Sequence, residues 1–598
     1  MENVVIRKRL LNIRKHMEFN KIDVYMVPTA DYHNSEYVSE YFHVREYLSG
    51  FKGSNGTLVI SKSEAGLWTD GRYFIQAEME LKGTGISLYK MQEEGVPTIL
   101  EFLSNTMIKG ETLEFDGRVI DTEFGIQLEK TIGNDITIHY ESQLAALLWQ
   151  ERPTMPCERV YLLQEKFTGL DTISKIYLVK SQMIKNKVKG FFLSKLDDIM
   201  WLFNIRGQDV PCNPVALSYA YITLDNIYLF LQKDAITEEI IEYSKNMKFE
   251  VLHYEDMISF LNNKIGEEHI LVDYKNTSYY IYKALSKSST CINLENPTTL
   301  LKAIKNKTEI ECMKEVYLLD SVAVVKFIYW LKTNVGKMMM DEVSAGKYLD
   351  ALRKKTDGFV DFSFQTICAY KENAAMMHYE GKKEDCKNII NEGMLLVDSG
   401  GQYYGGTTDV TRTIVLGEVS EEIKKHFTAV VIGMLQLSDT QFLYGCTGRN
   451  LDILARMTLW NMNLDYKCGT GHGIGCMLNV HEGPQNIRWR YQKDVPEIIF
   501  EENMVVSNEP GVYIKGSHGI RIENIMICKK AKKSQYGQFM KFETLTFVPI
   551  DIDGISLEML SEQQKKQFND YHKNVYKKMS PFLTQKEKKW LAHVTKEI

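Results

Sequence analysis

What most constrains this chain is a set of charged residues buried inside apolar, strand-like runs of its C-terminal third. The runs MLLVDSG, TTDVTRTIVL, GTGHGIGCMLNVHEG, NMVVSNEPGVYI and GIRIENIMIC interrupt β-forming residues with single acids and histidines. A buried charge costs several kcal/mol unless it is paired or bound to metal. The fold must therefore bring these charges together. Asp398 and Asp409 flank the glycine-rich QYYGGTT, and that spacing suits a hairpin with both carboxylates close. Glu509 and Glu523 flank the turn-like PGVYIKGSHG in the same way. His472 lies among Gly469, Gly471, Gly473 and Gly475, where missing side chains let other groups approach closely.

Taken singly, each acid reads equally well as an exposed or salt-bridged residue. Four carboxylates and one imidazole together form an oxygen-rich donor set. It suits two hard or borderline divalent ions, Mn²⁺ first, with Fe²⁺, Co²⁺ or Zn²⁺ also fitting. Two ions about 3.5–4 Å apart can share a bridging hydroxide and polarise a carbonyl. Competing motifs fail their context. His481-Glu482 is followed by Gly483-Pro484, which breaks the helix that HExxH needs. No GxxxxGK[ST] occurs, and GTGHGIG lacks the spacing of a dinucleotide loop.

The 598 residues exceed what one core usually holds, so several domains are expected. The first 150 or so residues read as alternating helices and strands: a helix over 4–20, then strands in KIDVYMVP, GTLVIS and GLWTDGRYF. LLWQERPTMP reads as a linker because of its two prolines. A second, similar segment follows, in which KVKGFFLS at Lys187 resembles KIDVYMVP at Lys21 and LFNIRGQ resembles LSGFKGS. Residues 303–335 read as one long amphipathic helix.

A net charge of −6 offers no footprint for nucleic acid. No apolar run is long enough to span a membrane, and the charged N-terminus does not read as a signal peptide. Ten scattered cysteines without a CxxC pair suit a reducing, cytoplasmic setting.

The motifs carry a resemblance. VDSGGQYYGGTTDVTRT, GTGHGIG, LNVHEGPQ, NEPGVY and GIRIENI resemble the metal and substrate motifs of the pita-bread metallopeptidases, which include methionine aminopeptidase, prolidase and aminopeptidase P. DYHNSEY, SGFKGSNGT, WTDGRYF, WLFNIRGQDVPCNPV and ETLTFVPID extend the likeness to three-domain aminopeptidase P over nearly the whole chain. The resemblance implies an α/β (α+β) chain with two creatinase-like domains, 1–153 and 157–298, before a pita-bread catalytic domain, 303–598. It implies that Asp398, Asp409, His472, Glu509 and Glu523 hold two metal ions, and that the chain is a homodimer. The implied reaction is hydrolysis of the N-terminal Xaa-Pro bond of peptides, with prolidase as the alternative and an inactive binding module behind it.

By the same resemblance Glu509 is a catalytic base, and His378 in MMHYE and His481 in NVHEGP hold substrate and the tetrahedral intermediate. Arg521 braces the carboxylate ligands, and Arg72 in WTDGRYF contacts substrate; His472 and Glu509 border the same pocket. Apart from the motifs, each of these histidines and arginines is an ordinary structural or surface residue. One departure stands out: the family motif HGTGH reads CGTGH here, with Cys468 in the histidine's place. A thiol is a poor hydrogen-bond donor, so water would take over the role, or catalysis would weaken. A metal thiolate is the remaining alternative.

Overall fold

The computed structural model describes residues 2–266, 268–384, 386–491 and 497–598. They form two compact units, one of residues 1–165 and 170–299, the other of 166–169 and 300–598.

The first unit contains two six-stranded sheets of the same design. In one the strand order is Ser87–Lys90, Ala65–Thr69, Thr57–Ser61, Val24–Pro28, Thr112–Glu114, Thr137–His139. In the other it is Glu250–His253, Ile227–Leu231, Ser218–Thr223, Gly190–Leu193, His269–Val272, Thr290–Asn293. Both are antiparallel at the centre and parallel toward the edges. The similarity of KIDVYMVP to KVKGFFLS thus corresponds to strands Val24–Pro28 and Gly190–Leu193 in equivalent places. Helix Glu2–Phe19 buries Ile6, Leu10, Ile13 and Met17, one stripe at helical spacing, against the first sheet's core.

Two expectations shift by a few residues. GLWTDGRYF is not strand throughout: the strand ends at Thr69 and a helix begins at Phe74. Asp70 turns the chain, its Oδ1 accepting the backbone N–H of Arg72 at 3.0 Å and its carbonyl that of Tyr73 at 3.1 Å. The long helix starts at Lys307 and runs to Asn334. Asn306 delays it by forming a capping box: Asn306 Oδ1 accepts from Glu309 N at 3.0 Å, and Glu309 Oε2 accepts from Asn306 N at 2.9 Å.

In the second unit, Met394–Ser399 pairs antiparallel with both Ile367–Tyr370 and Val410–Val415. Helices Lys307–Asn334 and Glu342–Arg353 supply Phe327, Leu331, Ala345 and Leu349 to the core that Leu395 and Val397 enter. A second sheet runs Gln441–Leu443, Gly537–Thr544, Asn524–Ser534, Val505–Asn508, Gly471–Gly473, Glu482–Ile487. Helix Glu421–Ser438 is buried nearly all round, with Phe427, Val430, Val431, Met434 and Leu435 in a core shared with Val512 and Ile520. The segments that connect the paired acids are small hairpins themselves. Gly401–Tyr403 pairs with Gly406–Thr407 between Asp398 and Asp409, and Gly511–Ile514 pairs with His518–Arg521 between Glu509 and Glu523.

Candidate metal centre

Each hairpin returns its flanking acids to the same place. Asp398, one residue before the end of its strand, lies opposite Thr411, two residues past Asp409. Glu509 and Glu523 follow and precede Asn508 and Asn524, which face each other in register. His472 sits on the short strand Gly471–Gly473, squeezed between Glu482–Ile487 and Val505–Asn508. Only glycine fits on either side of it. A Cβ at Gly471 would lie 2.1 Å from the Ser507 carbonyl oxygen, and one at Gly473 would lie 2.1 Å from that of Glu482.

The ligand atoms of Asp409, His472 and Glu523 all lie within 4.8 Å of one another. His472 Nε2 is 3.6 Å from Asp409 Oδ2 and 3.1 Å from Glu509 Oε1. Its Nδ1 faces the Gly473 carbonyl at 3.0 Å. A carbonyl only accepts, so Nδ1 carries a hydrogen, and this bond aims Nε2 at the acids. Arg521 Nη2 donates to Asp398 Oδ2 at 2.5 Å, its Nη1 to the Tyr513 hydroxyl at 2.8 Å and its Nε to Thr411 Oγ1 at 3.1 Å. Thr411 Oγ1 donates to Glu523 Oε2 at 2.9 Å, and Ser507 Oγ to Glu509 Oε1 at 3.1 Å.

One oxygen of each of three acids has no donor among the described residues: Asp398 Oδ1, Asp409 Oδ1 and Glu523 Oε1, all buried. An unsatisfied buried polar atom costs about 1–3 kcal/mol, and more when charged. The protons show the same stress. Burial, then repulsion from Glu523 and Asp398, drives the Asp409 carboxyl well above its ordinary range. Burial, then Glu509 and Asp398, pushes Glu523 up to about 8. Burial works against a charged His472, but its bond to Glu509 prevails and raises the imidazole to about 9. Burial also opposes ionisation of Glu509, yet His472 outweighs it and pulls that carboxyl down. Crowded carboxylates with orphaned oxygens and one imidazole nitrogen are a donor set that divalent cations satisfy.

His481 packs edge-on against His472, ring centroids 4.3 Å apart at 80°. His378 follows Met377, whose carbonyl accepts from Arg521 Nη2 at 3.5 Å, so the turn that carries it abuts the same arginine. Arg72 belongs to the first unit, clamped on Asp70 at 2.9 and 3.0 Å with Glu36 at 3.4 Å; the residues gathered round His472 all belong to the second. Cys468 is half-buried against the core of helix Glu421–Ser438, and among the described residues its sulfur is not one of the converging ligand atoms.

Sequence reasoning passed over Thr411 and Ser507. One local hint exists, the two-residue spacing of Thr411 from Asp409 and of Ser507 from Glu509, but it does not reveal that the partner of Thr411 is Glu523.

Models of known families match nearly the whole chain. Two creatinase/prolidase N-terminal domain models match residues 9–147 and 151–309. The metallopeptidase family M24 model matches 311–530, and that of the C-terminal region of peptidase M24 matches 538–598. A probable Xaa-Pro aminopeptidase P from Botryotinia fuckeliana is 37% identical, covering 97% of this chain and 91% of its own. Aminopeptidase P2 of Arabidopsis thaliana is 34% identical over 100% of this chain and 89% of its own. The crystal structure of X-prolyl aminopeptidase from Caenorhabditis elegans, described as a cytosolic enzyme with a di-nuclear active site, superposes with a TM-score of 0.94 at 30% identity, covering 99% of this chain and 100% of that one.

Proposed function

The chain belongs to the Xaa-Pro aminopeptidase P family of M24 metallopeptidases, and from that premise we propose which of its residues carry the reaction. It is a metal-dependent aminopeptidase that hydrolyses the bond between an N-terminal residue and proline. In this reading Asp398, Asp409, His472, Glu509 and Glu523 hold two divalent ions, Mn²⁺ by preference. The observation that carries it is the convergence of ligand atoms of Asp409, His472 and Glu523 within 4.8 Å, together with buried oxygens of Asp398, Asp409 and Glu523 that have no donor among the described residues. Bound there, the ions would supply an activated water and polarise the scissile carbonyl.

The chain's own groups do the rest. Glu509 takes the proton from the attacking water and hands it to the leaving nitrogen. His378 and His481 donate to the developing oxyanion and the substrate carbonyls. Arg521 keeps Asp398 and Thr411 in place, and Arg72 contacts substrate. Proline is selected because its nitrogen carries no hydrogen, so a site without an acceptor there rejects ordinary peptides.

Residues 1–153, 157–298 and 303–598 are the three domains of this reading. A cytoplasmic setting is supported by ten cysteines of which none forms a disulfide among the described residues. A homodimer is supported by an apolar stripe on helix Gly448–Trp460, where Ile453, Met457 and Trp460 share an exposed face. Trp489 meets Trp460 edge-on at 5.6 Å and Tyr491 extends the patch.

Metal analysis of the full chain tests the ligand set. The wild type is expected to hold two ions. Asp409→Ala is expected to hold fewer and to lose hydrolysis. Full metal and full activity in that variant would overturn the assignment. Hydrolysis of Gly-Pro but not Arg-Pro-Pro would move the chain to the prolidases.

A further inference from the structure

Beyond the candidate ligands, one fully buried cation stands behind the site. Arg412 is 2% exposed and follows Thr411 on strand Val410–Val415. Alternation along the strand turns it to the face opposite Asp409 and Thr411, so it cannot act as a ligand-side charge. Its five N–H groups meet six acceptors, one of them shared, and among the described residues none is a carboxylate. Nη1 donates to the carbonyls of Thr411 at 2.8 Å and Glu523 at 2.5 Å. Nη2 donates to Asn524 Oδ1 at 2.7 Å, to the Val548 carbonyl at 2.8 Å and to the Tyr571 hydroxyl at 2.7 Å. Nε donates to the Pro549 carbonyl at 3.1 Å.

These acceptors come from two places. Glu523 and Asn524 belong to the site and its strand. Val548, Pro549 and Tyr571 belong to the C-terminal region, Tyr571 on helix Glu562–Met579. That region is itself tied down. The Tyr571 hydroxyl donates to the Val548 carbonyl at 2.6 Å, His572 Nε2 accepts from Ile550 N at 3.1 Å, and Asp551 Oδ2 accepts from Val415 N at 2.9 Å. Glu523 is therefore held at three points by two consecutive residues. Its N–H donates to the Thr411 carbonyl at 3.1 Å, its carboxylate accepts from Thr411 Oγ1, and its carbonyl accepts from Arg412.

We propose that Arg412 is a positioning residue of the metal centre, through which the C-terminal segment 548–551 and helix Glu562–Met579 fix Glu523 in ligating geometry. The inference rests on the ligand role of Glu523 proposed above. Arginine is required because its planar fork meets carbonyls on several sides at once. Lysine offers three donors from one point and cannot bridge them.

The test uses the full-length chain as wild type, Arg412→Lys and Tyr571→Phe. Each is equilibrated over a range of free Mn²⁺, and bound metal is counted alongside Arg-Pro-Pro hydrolysis and thermal unfolding. Arg412→Lys is expected to raise the midpoint of the Mn²⁺ titration at least tenfold, with activity returning at excess Mn²⁺. Tyr571→Phe removes one hydroxyl partner and is expected to raise it about threefold. An Arg412→Lys midpoint within twofold of wild type would overturn the proposal. So would lost activity that excess Mn²⁺ does not restore, because Arg412 would then serve folding alone. If Arg412→Lys does not fold, Tyr571→Phe decides, and an unchanged midpoint there overturns the proposal. A wild type that binds no metal would instead overturn the ligand role of Glu523 itself.

Discussion

Adding a single methyl group beside His472, without touching any ligand, should cripple the site. In Gly471→Ala the new Cβ would stand 2.1 Å from the Ser507 carbonyl oxygen and 3.0 Å from its carbon. Non-bonded heavy atoms rest at about 3.5 Å, so the two strands must part by more than about 1 Å. A backbone oxygen cannot swing aside as a side chain would, and Ser507 is already paired with Ile525 on its other side. The Ser507 hydroxyl accepts from His472 N at 2.9 Å and donates to Glu509 Oε1, so the displacement carries two candidate ligands with it. Misplacing reacting groups by about 1 Å costs roughly 100-fold in rate, and overpacking an interior costs about 1–3 kcal/mol in stability. The expected outcome is a folded chain with a lowered melting temperature and kcat/KM on Arg-Pro-Pro down roughly 100-fold, beyond rescue by added metal. Gly346→Ala is the control. Its Cβ would meet only ordinary contacts at 3.6 Å inside helix Glu342–Arg353, so activity should hold. Activity of Gly471→Ala within twofold of wild type would refute the argument from close packing.

Cys468→Ser should keep its metal and most of its activity, since the sulfur stands outside the converging ligand atoms; loss of metal would identify a thiolate ligand, because a hydroxyl binds weakly at neutral pH. Met457→Glu places a charge in the middle of the exposed stripe on helix Gly448–Trp460, and light scattering should then report a monomer, against the dimer proposed for the wild type. A wild type that is already monomeric at micromolar concentration would remove the stripe's assignment.

The candidate ligands were legible because a charge inside an apolar strand is locally anomalous, whatever it pairs with. The duplicated N-terminal architecture was legible because equivalent strands keep equivalent hydrophobic texture, even where the loops between them differ in length. Connections were read less well. The segments around Tyr403 and Tyr513 look like turns by their glycines, yet each is long enough to pair with itself. The supporting contacts were hidden for a different reason. Arg521, named as a brace only through the motif resemblance, meets Asp398 across 123 residues of sequence, and Thr411 meets Glu523 across 112. Such partners are chosen by strand register and sheet order, which no local pattern encodes. Arg412 is the extreme case: in sequence it is one charge in a β-run, and only the folded chain shows that carbonyls and one hydroxyl, not acids, hold it.

The most direct test of the account compares hydrolysis of Arg-Pro-Pro and Arg-Ala-Pro by the full chain at saturating Mn²⁺, with products identified by mass. Alanine in the second position restores an N–H that must be buried without a partner, at about 1–3 kcal/mol. It also forfeits apolar ring contact worth about 0.8 kcal/mol per buried methylene. At about 1.36 kcal/mol per tenfold, kcat/KM should fall roughly 100-fold or more. The account predicts release of arginine from Arg-Pro-Pro, abolished by chelation and restored by Mn²⁺, with Arg-Ala-Pro slower by that factor. Equal rates on the two peptides, or hydrolysis that survives removal of all metal, would contradict it.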